Sequence, residues 1–393
     1  MEVRPSQRRR DGYDVFDPSG IADGVLTLSD ATAFIVSRMD GLTTRVDIQA
    51  AFMRHFGRML FSDEIDSLID QLDRAHFLES AALDAHMAAL TRQYRTAAAR
   101  PIRDAASLGA PLEDLAAYFD EMLNGDGAPA RTRPAAVVGL IAPHLDYDRG
   151  RPCYAAAYHD LAIRTDATRF VILGTNHFGR SASVVGTRRD FETPFGIVPC
   201  DHALMGQLDE RCGVDLCDGE YDHAREHSIE LQVLLLKHVL GDRRFTIAPF
   251  LCPDPCGPTG TAPREGRGVD LRDFAAAIRA EADDAVCVIA GADLSHVGRY
   301  FHDPRELGAA ELSAVESSDR AVLRHVAASD PDALLKCVRG SSNATNICSI
   351  GCIFVLVSAL ANRAAPRLLD YHQAVTTEAE NCVTCCAAEF TRP

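Results

Sequence analysis

The spacing of apolar residues changes period partway along this chain. Between residues 20 and 80 it is helical. Ser29 caps a helix through about Met39, where Asp40-Gly41 stops it, and Thr44 with Asp47 opens a second. Ser62-Asp63-Glu64 caps a third, whose Ile65, Leu68, Ile69 and Leu72 form one apolar stripe. Phe77-Leu78-Glu79 reads as a short terminal strand. An Ala-rich helical stretch then runs from about Leu83 to Arg100, and Gly125-Asp126-Gly127-Ala128-Pro129 with Arg133-Pro134 reads as a loop.

Beyond that loop the apolar runs are short and nearly unbroken: Val137 to Ile141, Arg169 to Gly174, Phe245 to Ala248 and Val286 to Ala290. Such runs are typical of strands buried on both faces of a sheet. Helical sequence separates them, including Tyr154 to Arg164 and the amphipathic stretch Ile229, Val233, Leu236, Leu240. The pattern predicts an α/β domain over residues 135–393, a central sheet flanked by helices, after a small, mainly helical domain (1–82) and a helical linker (83–134).

In such sheets ligands sit beyond the carboxyl ends of the strands. The strand ending at Ile141 runs into Ala142-Pro143-His144, and the one ending at Leu173 into Gly174-Thr175-Asn176-His177. The strand ending at Ala290 runs into Gly291-Ala292-Asp293-Leu294-Ser295-His296. One such His is ordinary packing, but three on rigid sheet ends suit an open metal site, since neutral imidazole is the commonest ligand. Cys348 precedes the apolar run Cys352 to Leu360, read as a buried helix whose N-terminal partial charge favours the thiolate.

Two readings compete for His223-Ala224-Arg225-Glu226-His227-Ser228-Ile229-Glu230. The string His223-x-x-Glu226-His227 matches that of inverted zinc peptidases, which predicts a zinc hydrolase but leaves the three strand-end imidazoles unexplained. In the other, Glu226, His227 and Glu230 line the cleft, with His227 as acid/base. Nucleotide-binding and serine-esterase motifs are absent, and Thr193-Pro194-Phe195-Gly196 is a turn.

Charge narrows the partners. With 40 Lys+Arg against 56 Asp+Glu, the formal charge of −16 repels phosphate backbones and anionic membranes, and Arg8-Arg9-Arg10 is too short to reverse it. No segment approaches the roughly 20 apolar residues of a spanning helix, and Met1 to Tyr13 lack the core of a secretory signal, so a cytoplasmic protein is expected. Thirteen scattered Cys then read as free thiols or ligands rather than disulfides, and the C-x-x-C spacing Cys382–Cys385 has no second pair to complete a zinc site.

Ala142-Pro143-His144, Gly174-Thr175-Asn176-His177, Thr193-Pro194-Phe195-Gly196, Glu226-His227-Ser228-Ile229-Glu230 and Asp293-Leu294-Ser295-His296 occur in the order seen in the Memo family, which the chain resembles from about Arg100 onward. It most resembles the bacterial members called AmmeMemoRadiSam system protein B. The resemblance implies a fold like the class III extradiol dioxygenases and a mononuclear iron or copper site, with zinc as a further option. It points to His144, His177 and His296 as ligands, Cys348 as the thiol and Asp293 nearby. The naming also implies a radical S-adenosylmethionine partner. Departures from the family are Leu145-Asp146-Tyr147 after His144, which narrows the pocket or adds a carboxylate, and Cys352 where Pro is expected. Residues Leu28-Ser29, Met39-Asp40-Gly41, Leu72-Asp73-Arg74-Ala75 and Phe77-Leu78 resemble a winged-helix module of peptide-binding chaperones. Three functions are therefore expected as alternatives: a metal-dependent oxidoreductase, a non-catalytic accessory protein that holds metal or a peptide, or a zinc hydrolase through His223 and His227.

Overall fold

A computed structural model describes residues 2–393 except 7–8, 11, 23, 125–134, 160, 182, 264–265, 302 and 377–379, and the side chain of 162. Arg8 and the loop expected at Gly125–Pro129 and Arg133-Pro134 lie outside the described residues. The chain divides into two compact units, Met1–Thr96 and Ala97–Pro393. The division falls after the Ala-rich helix rather than at residue 82.

The first unit opens with an antiparallel sheet, β1 (Glu2–Pro5), β2 (Gly12–Phe16) and β3 (Val25–Ser29), in that order. Helices α1 (Asp30–Val36), α2 (Arg45–Phe56), α3 (Ser62–Arg74) and α4 (Ala81–Thr96) follow. Ser29 caps α1 by accepting the Thr32 N–H, and Thr44 with Asp47 forms a reciprocal capping box on α2. Ile35, Ile48, Phe52, Leu60, Ile65, Leu68 and Leu72 make the core. Phe77-Leu78 is not a strand: His76 adopts positive φ (62°), and the Phe77 N–H donates to the Leu72 carbonyl (2.9 Å), folding both apolar side chains back onto that core.

The second unit holds β4 (Ala99–Arg100), α5 (Leu115–Asn124), β5 (Val137–Ala142), α6 (Tyr147–Tyr158), α7 (Leu161–Arg164), β6 (Arg169–Thr175), β7 (Val185–Gly186), β8 (Asp190–Phe191) and α8 (His202–Cys212). It continues with α9 (Glu230–Leu240), β9 (Thr246–Cys252), α10 (Leu271–Glu281), β10 (Val286–Gly291), β11 (Asp293–Gly298), α11 (Ala309–Ala327), α12 (Pro331–Gly340), α13 (Ile350–Leu360), β12 (Ala365–Thr376) and β13 (Asn381–Thr391). The main sheet runs β11-β13-β5-β10-β6-β9-β7, with β12 on β13. Strands β5, β10, β6 and β9 pair in parallel and every other pairing within this sheet is antiparallel, a mixed arrangement.

The apolar runs are buried as their composition requires: every residue of β10, and all of β6 after Arg169, is out of solvent. One core packs α8, α10, α12 and α13 on one face and a second packs α5, α6 and α9 on the other. Because the four parallel strands point the same way, their carboxyl ends share one edge, and this edge carries the site.

Candidate metal centre

His144 lies two residues past β5 and His177 two past β6, while Asp293 opens β11 just after β10. The Ala292 N–H donates to the Ala142 carbonyl (2.7 Å), and the His144 N–H to Asp293 Oδ1 (3.0 Å), so the ends of β5 and β10 are tied directly. Cys348 lies two residues before α13. Its loop turns through Asn343 and Asn346, both at positive φ (49° and 54°), a conformation Asn tolerates better than most residues. Buried Ser349 accepts the Asp293 N–H (3.1 Å) and bonds the Thr175 hydroxyl (3.0 Å) and the Cys348 thiol (3.1 Å).

The segment 220–230 straps across these ends, and its four carboxylates capture groups from three loops, those that hold residues 103–104, 176–181 and 187–188. Glu220 accepts the Thr187 hydroxyl and Arg188 N–H (both 2.7 Å); Asp222 accepts the Arg180 and Ser181 N–H groups (3.2 and 3.1 Å). Glu226 accepts the N–H groups of His177, His227 and Ser228 (2.9, 3.0 and 3.1 Å). Glu230 accepts those of Arg103 and Asp104 and pairs with Arg100. The strap lies flush because Gly174 has no side chain: a Cβ there would sit 2.5 Å from Ser228 Oγ and 2.6 Å from Ile229 Cγ1.

One ligand atom from each of His144, His177 and His227 lies within 4.8 Å of the other two. The His177 and His227 rings stack at 5.0 Å, and the His144 ring stands edge-on to them at 4.9 and 5.6 Å. His144 is buried (side chain 2% exposed), whereas His177 and His227 remain open to solvent (23% and 22%). Two of the rings are oriented as metal ligands usually are: Nδ1–H of His144 donates to the Gly291 carbonyl and Nδ1–H of His177 to Glu226 (both 3.0 Å), which leaves Nε2 of each as the nitrogen a metal would take. The Cys348 sulfur lies 3.5 Å from His144 Nε2.

Negative groups surround the imidazoles. Burial alone would depress the His144 pKa, yet Asp293 and Cys348 raise it to about 9, and Glu226 with Cys348 lifts His177 well above its usual range against the same penalty. Burial pushes the Cys348 thiol up, but the charges of His296 and His144 and hydrogen bonds from His144 and His177 bring it well below the usual range. Glu226 likewise stays ionised despite burial, held by His177 and His227. His227, penalised by burial, falls to about 4 even with Glu226 beside it, because His144 and His177 repel its proton. Such an anionic frame favours positive charge among the three rings, whether protons or a metal ion, and the donor set fits a transition metal.

The structure thus brings His144, His177, His227, Glu226, Asp293 and Cys348 together. His227, taken from the sequence as the acid/base, completes the compact imidazole group. His296 stands outside that group: its Nδ1–H donates to the Leu294 carbonyl (3.1 Å), its ring meets Phe301 edge-on (5.0 Å), and it acts on Cys348 as a charge. Glu230 does not line the rim but is buried against Arg100. His223 and His227 do not share a helical turn, since Glu220–Ala224 is a short 3-10 helix and α9 begins only at Glu230; His223 Nε2–H donates to the Val185 carbonyl (2.9 Å) instead. Asp146 adds no carboxylate to the site, because it caps α6 and pairs with Arg149. Leu145 packs with Ala374, Val383 and Phe301. Arg100 carried no legible signal in the sequence, where it is an isolated Arg before Pro101.

Fold and site define a mixed α/β protein with a three-histidine cluster able to hold a metal ion. The family model for Memo-like protein matches residues 109–389. A MEMO1 family protein of Aquifex aeolicus is 23% identical over 377 residues, covering 93% of this chain and 93% of its own length, a span that reaches into the first unit. One from Methanocaldococcus jannaschii is 34% identical over 175 residues (43% of this chain, 56% of its own), and one from Methanopyrus kandleri is 29% identical over 238 (60% and 75%). This chain belongs to the Memo family.

Proposed function

We propose that the second unit is a metal-dependent oxidoreductase centre in which His144, His177 and Cys348 hold a single iron or copper ion. The observation that carries this reading is the joint orientation of the three donors. Both imidazoles have Nδ1 tied back, and the thiol they share is drawn toward thiolate. Imidazole with thiolate suits copper(I) or iron better than calcium or magnesium. An ion there supplies redox chemistry that the side chains lack. His227, partly open to solvent and neutral because its pKa is low, is the group placed to exchange a proton with a substrate, with Glu226 fixing its backbone. Asp293 holds the His144 segment, and His296 supports the thiolate from outside the ring cluster.

The finer expectations belong to the same proposal: a dioxygenase-like fold, AmmeMemoRadiSam system protein B as the subgroup, and a radical S-adenosylmethionine protein as partner. The first unit, a three-stranded sheet followed by helices, is proposed as a winged-helix-like, peptide-docking module. The reading of the chain as a non-catalytic accessory protein rests on that module. Zinc hydrolysis through His223 and His227 is disfavoured by the His223 bond to Val185.

The test is element-resolved metal counting on protein purified anaerobically without added metal. Wild type is expected to carry one iron or copper per chain, His144→Ala/His177→Ala none, Cys348→Ser much less and His296→Ala nearly the full amount. Equal metal in wild type and the double variant would sink the assignment. Full occupancy with no oxygen consumption across candidate substrates would favour the accessory role.

A further inference from the structure

Among the described residues of the second unit, Arg100 is the most deeply buried arginine or lysine, 1% exposed, and all three of its guanidinium nitrogens are engaged. Nε–H donates to the His223 carbonyl (2.7 Å), Nη2 to the Glu226 carbonyl, and Nη1 pairs with Glu230. The guanidinium lies over the Phe191 ring (5.1 Å from its centroid), and Arg100 itself sits on β4, which pairs with β8. Glu230 is equally buried and accepts the Arg103 N–H (3.1 and 3.0 Å) and the Asp104 N–H (3.0 Å) as well.

The three acceptors are at positions 223, 226 and 230, so the guanidinium grips the strap on both sides of His227. A buried ion pair is weak evidence for stability, because an apolar pair of the same volume often serves as well. What a guanidinium adds is a rigid planar fork that fixes several acceptors at once, which an ammonium cannot do. The strap in turn supplies the carboxylate that orients the His177 ring and the backbone that carries His227.

We propose that Arg100 is a positioning residue of the metal centre: its fork sets the placement of Glu226 and His227, and through Glu226 the tilt of the His177 ring. The proposal rests on the metal reading above. Partners that orient ligands in this way typically change metal affinity about 10–100-fold when removed.

Cobalt(II) serves as the probe, titrated into metal-free full-length protein and followed by its visible d–d absorption. Arg100→Lys keeps the charge but not the fork; Arg100→Met/Glu230→Met replaces the pair with apolar volume and restores folding should the single variant fail. Both are expected to bind cobalt roughly 10–100-fold more weakly, with a shifted d–d band, while circular dichroism shows the same folded fraction as wild type. Wild-type affinity and spectrum in either folded variant would overturn the proposal, as would a loss of binding that merely tracks the unfolded fraction. Cobalt uptake by wild type that His144→Ala/His177→Ala matches, or no uptake at all, sinks the metal reading and this proposal together. Normal, histidine-dependent uptake with unaffected Arg100 variants sinks this proposal alone.

Discussion

His223 is fully buried with its Nε2–H on the Val185 carbonyl, and burial pushes its pKa down from 6.5 to about 4. In the unfolded chain the same ring takes a proton near pH 6.5. Between about 6.5 and 4 the unfolded state therefore binds more protons, so folding stability falls as pH drops through that window and is unaffected above it. The shift is worth on the order of 3 kcal/mol. His223→Gln keeps a donor for Val185 without a titrating ring. The stability gap between wild type and this variant should stay constant above pH 6.5 and change in favour of the variant below it, read from urea unfolding at several pH values. A gap that stays flat down to pH 4 would refute the assignment. Metal content should be unaltered, unlike for His144 or His177. Spacing alone could not separate His223 from His227, since four positions look like one helical turn until the backbone is seen to be a 3-10 turn followed by a bend.

Among the elements, the strand ends were the most legible part of the molecule. Buried parallel strands need unbroken apolar sequence, so β5, β6 and β10 announce themselves, and any polar residue just beyond them stands at the sheet edge. Of the strap, only Glu226 and His227 were legible at the cleft; its tethering was not, because Glu220, Asp222, Glu226 and Glu230 find their partners in loops far away in the sequence. The first unit's sheet was missed for a similar reason: β1 is short and exposed, and only pairing with β2 makes it a strand. The role of the strap is testable through glycine. Gly174→Ala drives a Cβ into Ser228 and Ile229, and overpacking of this kind costs about 1–3 kcal/mol. Gly206, in the middle of α8 with open space around it, is the control: Gly206→Ala should stabilise by about 0.5–1 kcal/mol. Thermal melts and metal counts together decide the matter. The Gly174 variant should lose both stability and metal, and a variant that keeps its metal would show that the strap need not lie flush for the site to form.

For the whole molecule, the division after Thr96 and the confinement of the cluster to the second unit make a joint prediction. A ligand that binds only folded protein raises stability by RT ln(1 + [L]/Kd), about 2.7 kcal/mol at a hundredfold excess over Kd. For a unit of this size, each kcal/mol moves the melting midpoint by roughly 2–4 °C, so saturating metal should raise one calorimetric transition by about 5–10 °C. Scans of metal-free and metal-loaded full-length protein should show two transitions, of which the larger moves and the smaller, belonging to residues 1–96, stays in place. His144→Ala/His177→Ala should abolish the movement without shifting the smaller transition. If the smaller transition also rises with metal, the two units are energetically coupled and the first one senses the state of the centre. If neither moves, the cluster does not bind metal tightly enough to matter, and the negative frame around the imidazoles serves only to hold protons on His144 and His177.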